Sequence, residues 1–208
     1  IETIRTIDTI GIVCYNIYTN KPTEYSGCKR KRRFTMNLLE LYKNNEDVII
    51  NTHDDLHVVK YKSLGVDWEN EYTRIARGII LNDNGEVVAR PFDKFFNLNE
   101  LAGKTSLSDE LRELSMEDKG PIEVTDKLDG SLVIAFYHDG LQFASSGSIN
   151  SPHAHTFREA SGRLWSKETY DKVEELSKTH TIIFEYTAPS NLIVIEYLKE
   201  ALTVIGLR

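Results

Sequence analysis

Gly78-Ile79-Ile80-Leu81-Asn82-Asp83-Asn84-Gly85-Glu86-Val87-Val88-Ala89-Arg90 reads as two strands around a tight turn. Asn-Gly reaches positive φ at little cost, so this stretch predicts a β-hairpin. Upstream, Glu46–Asn51 and Leu56–Lys62 look like short strands parted by Asp54-Asp55. Further up, Met36-Asn37-Leu38-Leu39-Glu40-Leu41-Tyr42-Lys43 suits an opening helix with Leu38, Leu39 and Tyr42 on one face. Downstream, Ser108–Glu117 reads as a short helix with Ser108 as N-cap. Ile122–Asp126 and Ser131–Tyr137 read as strands flanking Lys127–Gly130, and Asp139-Gly140 turns the chain into Leu141–Ser145. His155 to Lys178 reads as helical with a break near Gly162. Thr181–Thr187, Leu192–Tyr197 and Leu202–Leu207 read as closing strands. Hairpins dominate, and helices are not regularly interleaved with strands. The expected fold class is α+β with antiparallel sheets, not a doubly wound parallel sheet.

Composition narrows the class. The chain has 208 residues, enough for one ordinary domain. Hydrophobic residues at 40% against charged residues at 27% give the balance of a globular protein. No apolar run approaches the roughly 18 residues that span a bilayer. Ile1–Tyr18 is interrupted by Glu2, Arg5 and Asp8 and does not read as a secretory signal. Cys14 and Cys28 are too few for a disulfide scaffold or a cysteine-rich zinc site, so a reducing, cytoplasmic setting is expected. The net charge of −7 excludes an overall basic coat but not a local basic groove.

That charge is unevenly spread. Residues 1–35 carry seven basic and three acidic side chains, a net of +4 against −11 for the remainder, and they include Lys29-Arg30-Lys31-Arg32-Arg33. Three readings of the basic run stand: an RNA-contacting arm or targeting signal, a solvated tail, or upstream DNA read through to Met36. The expected domain is 36–208, with 1–35 an extension of doubtful nativeness. At the other end Ala201–Arg208 reads as a buried strand with no turn after it, which suggests a chain cut short.

Familiar motifs fail. Gly103-Lys104-Thr105 resembles the end of a phosphate-binding loop, but position 98, where the first glycine belongs, is Leu98. His153 and His155 lack further partners at ligand spacing. The chemistry gathers instead around Thr125-Asp126-Lys127-Leu128-Asp129-Gly130-Ser131-Leu132-Val133, a lysine between two strands. Alone, Asp-Gly is a common turn pair. It has company, however. Arg77-Gly78-Ile79 precedes the first hairpin, and Arg90-Pro91-Phe92-Asp93-Lys94-Phe95-Phe96-Asn97-Leu98-Asn99-Glu100 follows it. Ser145-Ser146-Gly147-Ser148-Ile149 comes after the lysine, and Phe184-Glu185-Tyr186-Thr187-Ala188-Pro189-Ser190-Asn191 completes the set.

This ordered set resembles the covalent nucleotidyltransferases and, within them, the bacteriophage RNA ligase 1 family of tRNA-repair, ATP-dependent RNA ligases. The resemblance runs from about Met36 to Arg208. It implies an antiparallel-sheet, ATP-grasp-like adenylation domain. It also implies an enzyme that joins RNA 5′-phosphate and 3′-hydroxyl ends, as in broken tRNA, through lysyl-AMP and an adenylylated RNA. Lys127 would be the nucleophile, with Asp129 and Gly130 completing its motif. Arg77 and Lys94 would contact the ATP phosphates, Glu185 the nucleoside or a metal-bound water, and Tyr61 the nucleotide. ATP and Mg²⁺ are the implied cofactors; the metal ligand is not assigned. The residues suit that chemistry by themselves. A lysine amine must lose its proton to attack phosphorus, and at a reference pKa near 10.4 it seldom has. Neighbouring cations such as Arg77, Lys94 and Mg²⁺ favour the neutral amine and offset charge on the phosphates. The sequence departs from the family in carrying Ser146 where a lysine is usual, and in ending before a Glu-containing strand and a Lys-x-Lys strand. Within the superfamily a DNA ligase or an mRNA-capping guanylyltransferase is the alternative, and outside catalysis a nucleotide- or RNA-binding remnant.

Overall fold

The structure is a computed structural model, and it describes residues 37–95 and 126–208. Two compact units are distinguished: 37–94 with 129–208 belong to one, and Phe95 with Asp126–Leu128 belong to the other.

Helix α1, Leu38–Lys43, starts at Asn37, whose side-chain oxygen accepts from the N–H groups of Leu39 and Glu40 at 2.9 and 3.3 Å. That N-cap satisfies donors which the helix leaves unpaired. Strands β1, Val48–His53, and β2, Leu56–Tyr61, turn at Asp54, which takes φ 51°. Helix α2, Glu71–Ile75, precedes β3, Arg77–Asn82, and the hairpin closes with β4, Val87–Ala89. Gly85 takes φ 74° in that turn, as the Asn-Gly pair predicts. The four strands form one antiparallel sheet in the order β1-β2-β3-β4.

The second sheet has the order β6-β5-β7-β8 and is also antiparallel. Its strands are β5, Ser131–Tyr137; β6, Leu141–Ala144; β7, Ile182–Thr187; and β8, Ala201–Leu207. Helices α3, Pro152–Leu164, and α4, Lys167–Ser177, lie between β6 and β7 in the chain. The architecture is α+β with antiparallel sheets, as expected.

Packing follows strand alternation, because successive side chains leave a strand on opposite faces. Val59, Ile79 and Leu81 pack with Leu39, Tyr42 and Val48 on the side of α1. Leu56, Val58, Ile80 and Ala89 meet Ile134, Phe136, Ala144 and Ile149 between the two sheets. Val133, Ala135, Phe143, Ile182, Phe184 and Tyr186 close on Phe157 and Ala160 of α3. His57 is buried in β2 with both ring nitrogens engaged: Nδ1 lies 2.8 Å from Thr52 Oγ1 and Nε2 lies 2.9 Å from Asp83 Oδ1. No polar atom of that ring is left without a partner, which is what burial demands.

Two expectations need correction. Leu192–Tyr197 forms no strand; residues 191–200 carry no regular secondary structure. Gly162 lies inside α3, and the break falls at Trp165-Ser166, where Ser166 Oγ caps α4 by accepting from Thr169 N–H at 3.2 Å. Helix α2 was not anticipated. The helix expected at Ser108–Glu117, residues 122–125 of the strand expected at Ile122–Asp126, and the basic run lie outside the described residues. Among the described residues no helix is long and apolar enough to cross a membrane.

Candidate active site

Beyond one end of the core between the sheets, the two facing surfaces carry charged residues. On the first sheet Lys60 of β2 stands directly opposite Arg77 of β3. Cross-strand partners share a face, and Lys60 follows Leu56 and Val58 along the face turned to the second sheet. On the second sheet Glu185 of β7 pairs with Leu132 of β5, next along the face from the Ile134–Ile183 pair. Ile134 belongs to the core between the sheets, so Glu185 is turned to the same cleft.

The Asp129-Gly130-Ser131 stretch is tied to β7 and to the segment after it. Gly130 N–H donates to Glu185 Oε1 at 2.9 Å. A Cβ at position 130 would fall 2.2 Å from the Tyr186 carbonyl oxygen, so only glycine lets the strands come this close. Ser131 Oγ donates to Asn191 Oδ1 at 3.1 Å, and Asn191 Nδ2 donates to the Tyr186 carbonyl at 3.1 Å. The Asp129 carboxylate accepts from the backbone N–H groups of Val194 and Ile195 at 2.6 and 2.7 Å. Its own N–H donates to Tyr197 Oη at 2.9 Å. Segment 191–200 is anchored at its far end too. Glu200 accepts from Tyr186 Oη at 2.8 Å and from Arg163 Nη2 at 2.6 Å. The Arg163 guanidinium holds the Glu200 carboxyl below the usual carboxylate range, while burial and Glu200 push the Tyr186 phenol up.

The cations are seated differently. Arg77 Nη1 donates to the Asp93 carbonyl at 3.3 Å. Lys94 N–H donates to the Arg74 carbonyl at 2.7 Å, and its ammonium lies 5.5 Å from the centre of the Trp68 ring. Tyr61 meets the same indole edge-on at 5.0 Å. Asp93 collects Arg90 at 3.2 Å and Arg208 at 3.2 Å, which pins the Arg90–Lys94 stretch to the end of β8. Gly78, at φ 96°, lets the Ser145–Ser148 loop close on β3, because a Cβ there would lie 2.9 Å from Ile134 Cδ1 and 3.0 Å from Ser146 Cα.

Of the residues expected from sequence, Asp129, Gly130 and Glu185 are brought together by direct bonds or adjacency. Arg77 lies on the facing sheet, and Tyr61 and Lys94 share Trp68. Lys127, two residues before Asp129 in the chain, is exposed and belongs with the other unit. Trp68, Asn191 and Tyr197 were not anticipated; Asn191 does lie in the Pro-Ser-Asn end of a quoted motif, which was the available signal.

The family model described as RNA ligase matches residues 75–208, from the entry to β3 through β8. The chain belongs to the RNA ligase family. It is 28% identical over 195 residues to the RNA ligase of Rhodothermus phage RM378, covering 78% of this chain and 43% of that protein. It is 34% identical over 96 residues to a putative bifunctional polynucleotide kinase/RNA ligase of Autographa californica nuclear polyhedrosis virus, covering 46% and 14%. With RNA ligase 1 of Bacteriophage TS2126 it shares 37% over 81 residues, covering 38% and 20%. This RNA ligase family chain thus spans less than half the length of each of these relatives. Its matched region holds Arg77, Lys94, Lys127, Asp129, Gly130 and Glu185; Lys60, Tyr61 and Trp68 precede it.

Arg77 offers a planar fork of N–H donors suited to phosphate oxygens. Among the described residues no three His, Cys, Asp or Glu side chains gather into a metal cage. Asp129 and Glu185 are carboxylate donors of the kind Mg²⁺ takes one or two of beside its retained waters.

Proposed function

We propose that this chain is the nucleotide-activating part of an ATP-dependent RNA ligase, which joins RNA 5′-phosphate and 3′-hydroxyl ends. The observation that carries the reading is the bond from Gly130 N–H to Glu185 Oε1. It welds the Asp129-Gly130-Ser131 end of the lysine motif to the Glu-bearing strand, across 55 residues of sequence. Family membership supports the RNA end of the reaction, and the relatives are themselves named RNA ligases.

In this reading Lys127 loses a proton and its amine attacks the α-phosphorus of ATP. An N–P bond forms, the bond to the bridging oxygen breaks, and pyrophosphate leaves. Arg77 and Lys94 take up charge on the phosphates. Asp129 and Glu185 would hold a hydrated Mg²⁺, which would supply Lewis-acid neutralisation of phosphate charge. AMP then passes to the RNA 5′-phosphate. Attack by the 3′-hydroxyl closes the phosphodiester and releases AMP. Broken tRNA is the proposed substrate.

Intact-mass analysis after incubation with ATP and Mg²⁺ tests this. The expected result is a gain of one AMP on the wild-type chain and none on Lys127→Ala. AMP retained by Lys127→Ala would sink the assignment of the nucleophile. No AMP on either protein would favour a nucleotide-binding role without turnover.

A further inference from the structure

We propose that Lys60 binds a phosphoryl group together with Arg77, against the Ser145–Ser148 loop. The inference deepens the ligase reading and rests on it for the identity of the phosphate. Three observations carry it.

Lys60 and Arg77 face each other across adjacent antiparallel strands. Like charges in that position repel, and a sheet built for packing alone would place an acid opposite one of them. Among the described residues the Lys60 ammonium itself has no hydrogen-bond or ion-pair partner.

The lysine is also laid back across the cleft. Its Cδ and Nζ lie 3.5 and 3.9 Å from where a Cβ at Gly147 would sit. The aliphatic stem therefore runs along the loop backbone and carries the ammonium to it, as long cationic side chains do when their stems find a surface.

The loop is built to hold still. Asn51 Nδ2 donates to the Gly147 carbonyl at 2.6 Å, which ties the loop to β1. Ser145 N–H donates to the Ser148 carbonyl at 3.0 Å, and Ser145 Oγ accepts from Ser148 N–H at 3.2 Å. Residues 145–148 are three serines and a glycine, with no carboxylate and no cation of their own. Two cations beside hydroxyls and a fixed backbone is a phosphate's environment: a point charge from lysine, a fork from arginine. The phosphate comes either from the ATP tail or from the RNA 5′ end.

The test uses the whole 208-residue chain as wild type, Lys60→Gln and Lys60→Arg, each checked for an unchanged melting temperature. Calorimetry measures the affinity for ATP, adenosine, a short 5′-phosphorylated oligoribonucleotide and the same RNA with a 5′-hydroxyl. Lys60→Gln is expected to weaken one phosphorylated ligand about tenfold, the size of a lost charge-assisted contact, and to leave its unphosphorylated counterpart unchanged. Lys60→Arg should restore most of the loss. ATP as the affected ligand assigns the nucleotide tail, and the phosphorylated RNA assigns the RNA end. Equal affinities in wild type and Lys60→Gln, or a wild type indifferent to phosphate, would overturn the proposal. A phosphate-selective loss in Lys60→Gln with no AMP ever attached to wild type would keep this site and bring down the ligase reading. Normal AMP attachment with unaltered phosphate affinities in Lys60→Gln would do the reverse.

Discussion

The two sheets bring opposite charges to the cleft and hold them by different means. On the second sheet the carboxylates are part of the hydrogen-bonded frame: Glu185 takes the Gly130 N–H, and Asp129 takes the N–H groups of Val194 and Ile195. On the first sheet Arg77 donates to a carbonyl, Lys94 lies over an indole, and Lys60 leans on a glycine. These contacts seat the cations on a carbonyl, a ring face and a loop backbone, where the carboxylates of the second sheet take backbone amides. The difference separates a side of the cleft that shapes the chain from a side that can meet a ligand's charge.

Mutations can break that comparison. The largest effect is expected at Gly130→Ala, where the new methyl meets the Tyr186 carbonyl at 2.2 Å. Strand β5 must part from β7, at about 3 kcal/mol or more, read from urea denaturation. A wild-type midpoint would show that the two strands do not approach so closely. Asp129→Ala should cost about 1 kcal/mol, because water replaces part of what two exposed N–H groups lose. It should also speed proteolysis within residues 191–200.

A smaller, local effect is expected on acidification. The Glu200 carboxyl titrates below its unfolded value because Arg163 donates to it. In the window between the two values the unfolded chain binds the extra proton, so stability rises with pH there. The contribution is complete above the unfolded carboxylate pKa, about 4.3, and fades as pH falls through the lower folded one. Amide exchange across 191–200, corrected for intrinsic rates, should quicken below about pH 4, and Glu200→Gln should abolish that step. The smallest effect belongs to Lys60→Ala, whose melting should stay within about 0.5 kcal/mol of wild type. A loss as large as that of Asp129→Ala would erase the distinction between the sheets.

The hairpins were legible because their turns are local chemistry. Asn84-Gly85 and Asp139-Gly140 announce positive φ, and the structure has it at Gly85, Asp139 and Gly140. The segment Leu192-Ile193-Val194-Ile195 misled because an apolar run is read as a buried strand. Its amides at 194 and 195 go to a carboxylate instead of a ladder, and Val194 is 81% exposed. Gly162 misled in the other direction: an exposed helix tolerates a glycine at roughly 1 kcal/mol, and the cap at Ser166 decided the break. Helix α2 has five residues, too few for a period to show. In the site, the motif residues Asp129, Gly130, Glu185 and Arg77 were legible as an ordered set. Trp68 and Lys60 were not, because what singles them out is a partner far along the chain.

The irregularity between Val59 and Lys60 gives the site its handedness. Val59 faces Ile79, yet Lys60 faces Arg77, so β3 spends one extra residue, Gly78, at this point. In a regular ladder Lys60 would stand opposite Gly78, and Arg77 would fall in step with Tyr61 on the far side of the sheet. Gly78 therefore acts as a phase slip in a two-residue rhythm. A ladder that kept Gly78 in step would leave the composition of the cleft untouched and turn its arginine inside out.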